Sequence, residues 1–240
     1  MGIKQIIAIA SAKGGVGKST ICANLALQFS THHKVGILDA DIYGPNQHII
    51  FKVTNQKPKV KTIDGKKIFV PIEVDNILLN SMGFVIDADK AAMWRGPMLS
   101  GAIKQLKNLT QWGYLDYLFV DMPPGTSDSP LTVMQTLTMD GFVVVTTPQE
   151  LAKIDAKRSI NMIKKLQVNV LGIVENMSGG IFGSGAGTEI AKELNLDFLG
   201  SIKIRQDYQD TSKPASLLNN EILDEYNEII KKSLVNLETS

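Results

Sequence analysis

Ten residues, SAKGGVGKST from Ser11 to Thr20, constrain this chain more than any others. They follow an apolar run at 6–10 and open a stretch with helical apolar spacing at 18–30. Gly14, Gly15 and Gly17 let the backbone curl until successive N–H groups point inward. The N-terminus of the next helix adds positive potential. Lys18 has the reach for β- and γ-phosphates, and the Ser19 hydroxyl can ligate Mg2+. A strand that turns through such a loop into a helix is the setting in which a glycine-rich segment grips phosphate. A bare strand–helix turn would need neither the three glycines nor the Lys-Ser pair.

The rest of the chain keeps the same rhythm. Strand-length apolar runs lie at 35–39, 77–81, 117–121, 142–147 and 168–175, and stretches such as LFV and FVVVTT are apolar on both faces. Strands of that kind belong to a parallel sheet covered by helices on both sides. Helical patterns separate them at 97–109, 128–137, 150–166 and, more weakly, 186–194, and another closes the chain at 217–237. The alternation predicts right-handed βαβ units. The expected fold is α/β: one doubly wound domain over residues 1–240, with a mostly parallel sheet flanked by helices.

One insertion interrupts the alternation. Residues 57–71 alternate around Asp64-Gly65, which is a β-hairpin turn signal. They carry Lys57, Lys59, Lys61, Lys66 and Lys67. No aromatic side chain interleaves with these lysines, so they read as guards against edge pairing rather than a nucleic-acid platform. The net charge of the chain is only +1, which supplies no bulk field for nucleic acid. The last helical pattern bears Glu221, Asp224, Glu225 and Glu228 on its polar face, where a membrane-surface helix would be basic. No run of 18 apolar residues exists to span a bilayer. The opening MGIKQIIAIAS lacks the form of a signal peptide, and Ile6 breaks the myristoylation pattern. The expectation is a cytoplasmic protein with neither a membrane nor a nucleic-acid partner.

A phosphate loop of this kind needs carboxylates at neighbouring strand ends to hold Mg2+ and an attacking water. ILDAD offers Asp39 and Asp41, and YLFVD offers Asp121 after four apolar or aromatic residues. The sequence DMPPGTSD, 121–128, then makes a stiff turn in which Gly125 lets the backbone approach a terminal phosphate. Asn176 stands at the end of the 168–175 strand, with a donor and an acceptor suited to a purine edge.

The loop departs from the strict pattern G-x-x-x-x-G-K-[ST], because Ala12 replaces the first glycine and a second lysine, Lys13, lies inside it. This arrangement resembles the deviant Walker A of the MinD/ParA/nitrogenase-iron-protein class. DIYGPN at 41–46, WRGPM at 94–98, DMPPGT, ENMS at 175–178 and the late Lys213-Pro214 resemble its Mrp/ApbC subfamily in particular. The match runs from about Ile3 to about Leu218. The resemblance implies an ATPase that turns ATP into ADP and phosphate slowly, in a homodimer sandwiching two ATP. It implies that Gly14, Gly15, Val16, Gly17, Lys18, Ser19 and Thr20 bind the nucleotide, with Asn176 on its base and backbone near 204–207 completing the base pocket. It makes Lys18 a phosphate ligand, and Lys13 a residue acting on the partner's phosphates. Asp41 orients the lytic water, and Mg2+ is held by Ser19 and, through water, by Asp121 and Asp41. DIYGPN would be switch I and DMPPGTSD switch II. Asp39 takes a supporting part, Asp155 matches a position near the dimer face, and Trp94 and Arg95 are shared with the subfamily without an assignable role.

One departure bears on function. Mrp-type proteins carry a CxxC motif soon after ENMS, and the cysteines of two subunits meet to hold an iron–sulfur cluster. Here ENMS runs into GGIFGSGAG, and the chain has one cysteine, Cys22. A [4Fe–4S] cluster usually takes four thiolates, and a dimer of this chain has two. Cys22 falls on the apolar stripe of the first helix and reads as a buried, inert thiol. His32, His33 and His48 lack metal-site spacing. The nucleotide machinery is therefore whole while the cluster site is missing. The expectation is an ATPase related to iron–sulfur carrier and assembly proteins that ligates no cluster itself, with a scaffold or apo-protein client. The alternative is a ParA/MinD-like positioning switch that binds a partner according to its nucleotide.

Overall fold

The computed structural model describes residues 2–63, 65–85 and 96–238. Its centre is an eight-stranded sheet built from β1 (Gly2–Ala10), β2 (Val35–Asp39), β5 (Ile72–Val74), β6 (Ile77–Ser81), β7 (Tyr114–Asp121), β8 (Gly141–Thr146), β9 (Val170–Ser178) and β10 (Phe198–Lys203). The strand order is β10-β9-β8-β1-β7-β2-β6-β5, and every pairing is parallel except β5 with β6. The doubly wound reading therefore holds. The antiparallel β5 edge was not foreseen: three residues carry too short an alternation to register as a strand.

Alternation along β1 sorts the two layers. Ile6, Ala8 and Ala10 face one core cluster with helices α3 (Gly96–Asn108), α4 (Asp128–Thr136), α5 (Glu150–Lys165) and α6 (Ala186–Leu194). Ile7 and Ile9 face the other with α1 (Lys18–Phe29) and α7 (Asn220–Glu238). The helices show why they pack there. In α3 the buried residues are Leu99, Ala102, Ile103 and Leu106, a spacing that makes one apolar stripe. In α1 the sheet lies on one side and α7 on the other, so nearly the whole helix is buried.

Residues 57–71 do form a hairpin. Strands β3 (Lys59–Ile63) and β4 (Lys66–Val70) pair antiparallel in a separate two-stranded sheet, and β3 is exposed throughout. Phe69 ties the hairpin to the body: its N–H donates to Leu109 O and its O accepts from Gln111 N. Asp64 of the turn, Trp94 and Arg95 lie outside the described residues. No helix among the described residues is long and apolar enough to cross a membrane.

Candidate functional site

Parallel strands all point their carboxyl ends the same way, and open α/β sheets bind ligands in the crevice beyond those ends. Here β1, β2 and β7 end together. The register sets Ile9 beside Asp121 and Asp121 beside Asp39. The loop from Ser11 to Gly17 therefore leaves β1 directly over two carboxylates. Together with Asp41, Tyr43, Gly44 and Pro124 it lines a cleft of about 530 Å3. The turn after β7 is tied to the same loop, since Gly125 N–H donates to Ser11 O at 3.0 Å.

Lys18 lies deep in this cleft rather than in solvent. Its side chain is 6% exposed, and Nζ meets Asp121 Oδ1 at 2.5 Å. The carboxylate at the end of β7 neutralises it there. Burial acts to lower the Lys18 pKa, but Asp121, with Asp41 and Asp39 behind it, outweighs burial and raises it. Ser19 Oγ stands 3.5 Å from the same Nζ.

Asp39 is fully buried and shapes the chain after β2. Its Oδ1 accepts from Asp41 N–H, and its Oδ2 from Gln47 N–H and the Ser81 hydroxyl. Burial, with the nearby Asp121 charge, pushes its pKa up to about 8. Asp41 uses Oδ1 to accept from the N–H groups of Tyr43 and Gly44, at 3.1 and 3.2 Å. Burial also raises the Asp41 pKa, against the pull of Lys18. Its Oδ2 has no hydrogen-bond partner among the described residues.

A second cleft of about 580 Å3 adjoins the loop at Gly17 and Thr20, and Asn176, Met177 and 203–206 line its far side. Asn176 Nδ2 donates to Val16 O at 2.8 Å. Gly17 has φ +82, and a Cβ there would stand 2.2 Å from that same nitrogen. Both the left-handed backbone and the close approach require glycine. We expect Gly17→Ala to destabilise the fold by at least about 1–2 kcal/mol, since a left-handed conformation costs that much with a side chain. Gly14→Ala, with nothing within 4 Å of its Cβ, should be close to neutral. Denaturant unfolding of both variants measures the difference, and equal losses would show that the loop tolerates a Cβ at Gly17.

The other expected residues distribute as follows. Gly14, Gly15, Ser19 and Thr20 line the first cleft, and Val16 is buried under the loop. Lys13 is exposed at the cleft rim, and its ammonium has no ion pair among the described residues. Asp155 sits on α5, paired with Arg158 at 3.0 Å, away from the cleft lining. Cys22 is fully buried in α1. After β9, residues 179–185 form a glycine-rich turn whose tip, Ile181, is 95% exposed. The turn is anchored by Glu175, whose buried carboxylate accepts from Ser178 Oγ and from Gly185 and Gly187 N–H at the start of α6. Among the described residues no three His, Cys, Asp or Glu side chains gather as a metal site. The residues do fit Mg2+, which is held by one or two carboxylates together with substrate phosphates and water. Sequence reasoning missed Gln47, which opens the short helix α2 (Gln47–Ile50) and contacts Asp121. Its only signal was a polar residue directly after DIYGPN.

Residues 2–235 match the ParA family described as NUBPL iron-transfer P-loop NTPase. An iron–sulfur cluster carrier protein of Methanocaldococcus jannaschii is 42% identical over 98% of this chain and 86% of its own length. One from Synechocystis is 46% identical over 84% of this chain, which spans 61% of that relative's length. In structure, the chain is similar to a nucleotide-binding protein from Archaeoglobus fulgidus solved with ADP. The TM-score is 0.76 and the identity 36%, over 89% of this chain and 87% of the other.

Proposed function

Because the chain belongs to the ParA/NUBPL family of iron-transfer P-loop NTPases, we propose that it binds MgATP in the first cleft and hydrolyses it slowly as a homodimer. What supports this most is the meeting of Lys18, Asp121, Asp39 and Asp41 under a glycine-rich loop at the carboxyl ends of β1, β2 and β7. Loop N–H groups and the start of α1 receive the phosphates, and Lys18 leaves Asp121 for them. Asn176 reads the base from the second cleft. Bound Mg2+ would neutralise phosphate charge, with Ser19 as a ligand and Asp121 and Asp41 reaching it through water. Asp41 orients a water whose oxygen forms the new bond to the γ-phosphorus as the bond to the ADP oxygen breaks. Lys13, exposed and without an ion pair among the described residues, serves the phosphates of the second subunit.

The test is calorimetric titration with MgATP, MgADP and MgGTP. Adenine nucleotides should bind and GTP more weakly. No heat and no rise in melting temperature with MgATP would overturn the reading.

The iron–sulfur part of the family's role takes a different form in this chain. Its residues do not fit a cluster: one thiol per chain, fully buried, with no other ligand group gathered among the described residues. The chain serves cluster assembly through a client or a scaffold that supplies the thiolates. Anaerobic reconstitution with iron and sulfide should leave the purified protein without visible absorbance. About four iron atoms per dimer, lost on Cys22→Ser, would overturn this.

A further inference from the structure

We propose that Gln47 is a positioning residue that couples the switch-I segment to Asp121, so that this segment responds to magnesium in the cleft. The inference rests on the nucleotide reading above and adds to it a residue that neither the motifs nor the family description assigns.

Gln47 is fully buried and reaches three elements of the site. Its Nε2 donates to Asp121 Oδ2 at 2.7 Å and to Ser19 O at 2.9 Å, and its backbone N–H donates to Asp39 Oδ2 at 3.1 Å. One side chain thus joins the end of β7 to the first turn of α1, and its backbone ties α2 to the end of β2. The amide orientation follows from chemistry. A carboxylate and a carbonyl are both acceptors, so the nitrogen must face them. The amide oxygen is then left buried with no donor among the described residues. An unmet buried acceptor is costly, and an apolar side chain would not carry it. What the nitrogen does must outweigh that penalty.

The two oxygens of Asp121 have different holders. Oδ1 is held by Lys18, the cation that a phosphate chain competes for, while Oδ2 is held by the neutral amide of Gln47. When Lys18 turns to phosphate, Gln47 keeps the carboxylate in place with Oδ1 facing the cleft. Any shift of Asp121 pulls on Gln47 and so on α2, which follows the Asp41 turn by only a few residues. The segment from Asp41 to Ile50 is therefore mechanically joined to the carboxylate on the metal side.

The experiment titrates N-methylanthraniloyl-ATP into wild type, Gln47→Leu and Gln47→Met, first in EDTA and then across a magnesium series. Amide hydrogen exchange over 41–50 is followed in the same samples. We expect affinity in EDTA to stay within about twofold, while the half-saturating magnesium concentration rises roughly tenfold or more, the worth of one hydrogen bond to a charged group. Magnesium-dependent protection of 41–50 should be present in wild type and lost in both variants. A residue with a merely structural part would weaken binding equally with and without magnesium, and that result overturns the inference. Unchanged magnesium dependence in a folded variant overturns it as well and leaves the nucleotide reading standing. Failure of wild type to bind the nucleotide at all would overturn both.

Discussion

Replacing Lys18 with alanine is expected to cost the protein both its nucleotide and part of its stability, and the two losses are separable. A hydrogen bond from a charged group to phosphate is worth up to about 3 kcal/mol, so affinity for MgATP should fall roughly a hundredfold. Stability suffers too. Asp121 is fully buried, and without Lys18 its charge has no cation beside it among the described residues. Breaking a buried pair from one side costs about 3–5 kcal/mol, which at this chain length is a fall of roughly 6–20 °C in melting temperature. Lys18→Ala with Asp121→Asn removes the stranded charge. The double variant should regain much of the melting temperature and none of the binding. Thermal melts beside titration with a fluorescent ATP analogue distinguish these outcomes. Wild-type affinity in the single variant would sink the phosphate-site assignment. A double variant no more stable than the single would show that the stranded Asp121 charge is not what destabilises the single variant.

The second large effect concerns turnover. A cation supplied by a partner subunit to the transferring phosphoryl group is worth on the order of 10³–10⁵ in rate when it is an arginine. A lysine is a point charge without the planar fork, so about 10³ is the expected loss for Lys13→Ala, with binding kept and ATP-dependent dimerisation lost. Lys13 and Lys18 share one loop but not one environment. Lys18 is buried against Asp121, while Lys13 is exposed at the rim. A two-fold dimer would use both copies of Lys13 identically. Asp41→Asn should behave differently. Asparagine keeps an oxygen for the N–H groups of Tyr43 and Gly44 but removes the charge proposed to orient water. Binding and dimerisation should survive while phosphate release stops. Light scattering with MgATP, beside phosphate release at several protein concentrations, decides the matter. A wild type that stays monomeric and turns over at a rate independent of its concentration would rule out the lysine acting in trans.

How legible the site was depends on what kind of fact each part is. Gly17, Lys18, Ser19, Asp39, Asp41 and Asp121 could be brought together on paper because strand ends in a parallel sheet all face one crevice. Patterns 18–30, 35–39 and 186–194 hardly moved in the structure, since dense apolar spacing or a clear glycine boundary marks them. The strand placed at 168–175 runs instead from Val170 to Ser178, because backbone pairing with β10 continues past the apolar run to the polar residues Glu175 and Ser178. Gln47 was beyond reach for another reason. Its three partners, at 19, 39 and 121, lie 8 to 74 positions away, and a lone glutamine carries no periodicity to point there. The pairing of Lys18 with Asp121 was hidden likewise, since 103 positions separate the two and the loop pattern names no partner for its lysine.

The buried cysteine has a practical consequence. Cys22 is fully buried in α1, within the core cluster that α1 and α7 share, and burial pushes its thiol pKa well above the ordinary value. A thiol reagent therefore reaches it only when that half of the molecule opens. With one cysteine in the chain, the labelling rate reports one opening event with no engineered site needed. Where reclosing is faster than labelling, the rate measures the free energy of that opening. A ligand that binds only the closed form must slow labelling by the factor 1 + [L]/Kd. The unmodified protein thus carries its own stopwatch for ligand binding, one that needs no fluorescent nucleotide and no turnover.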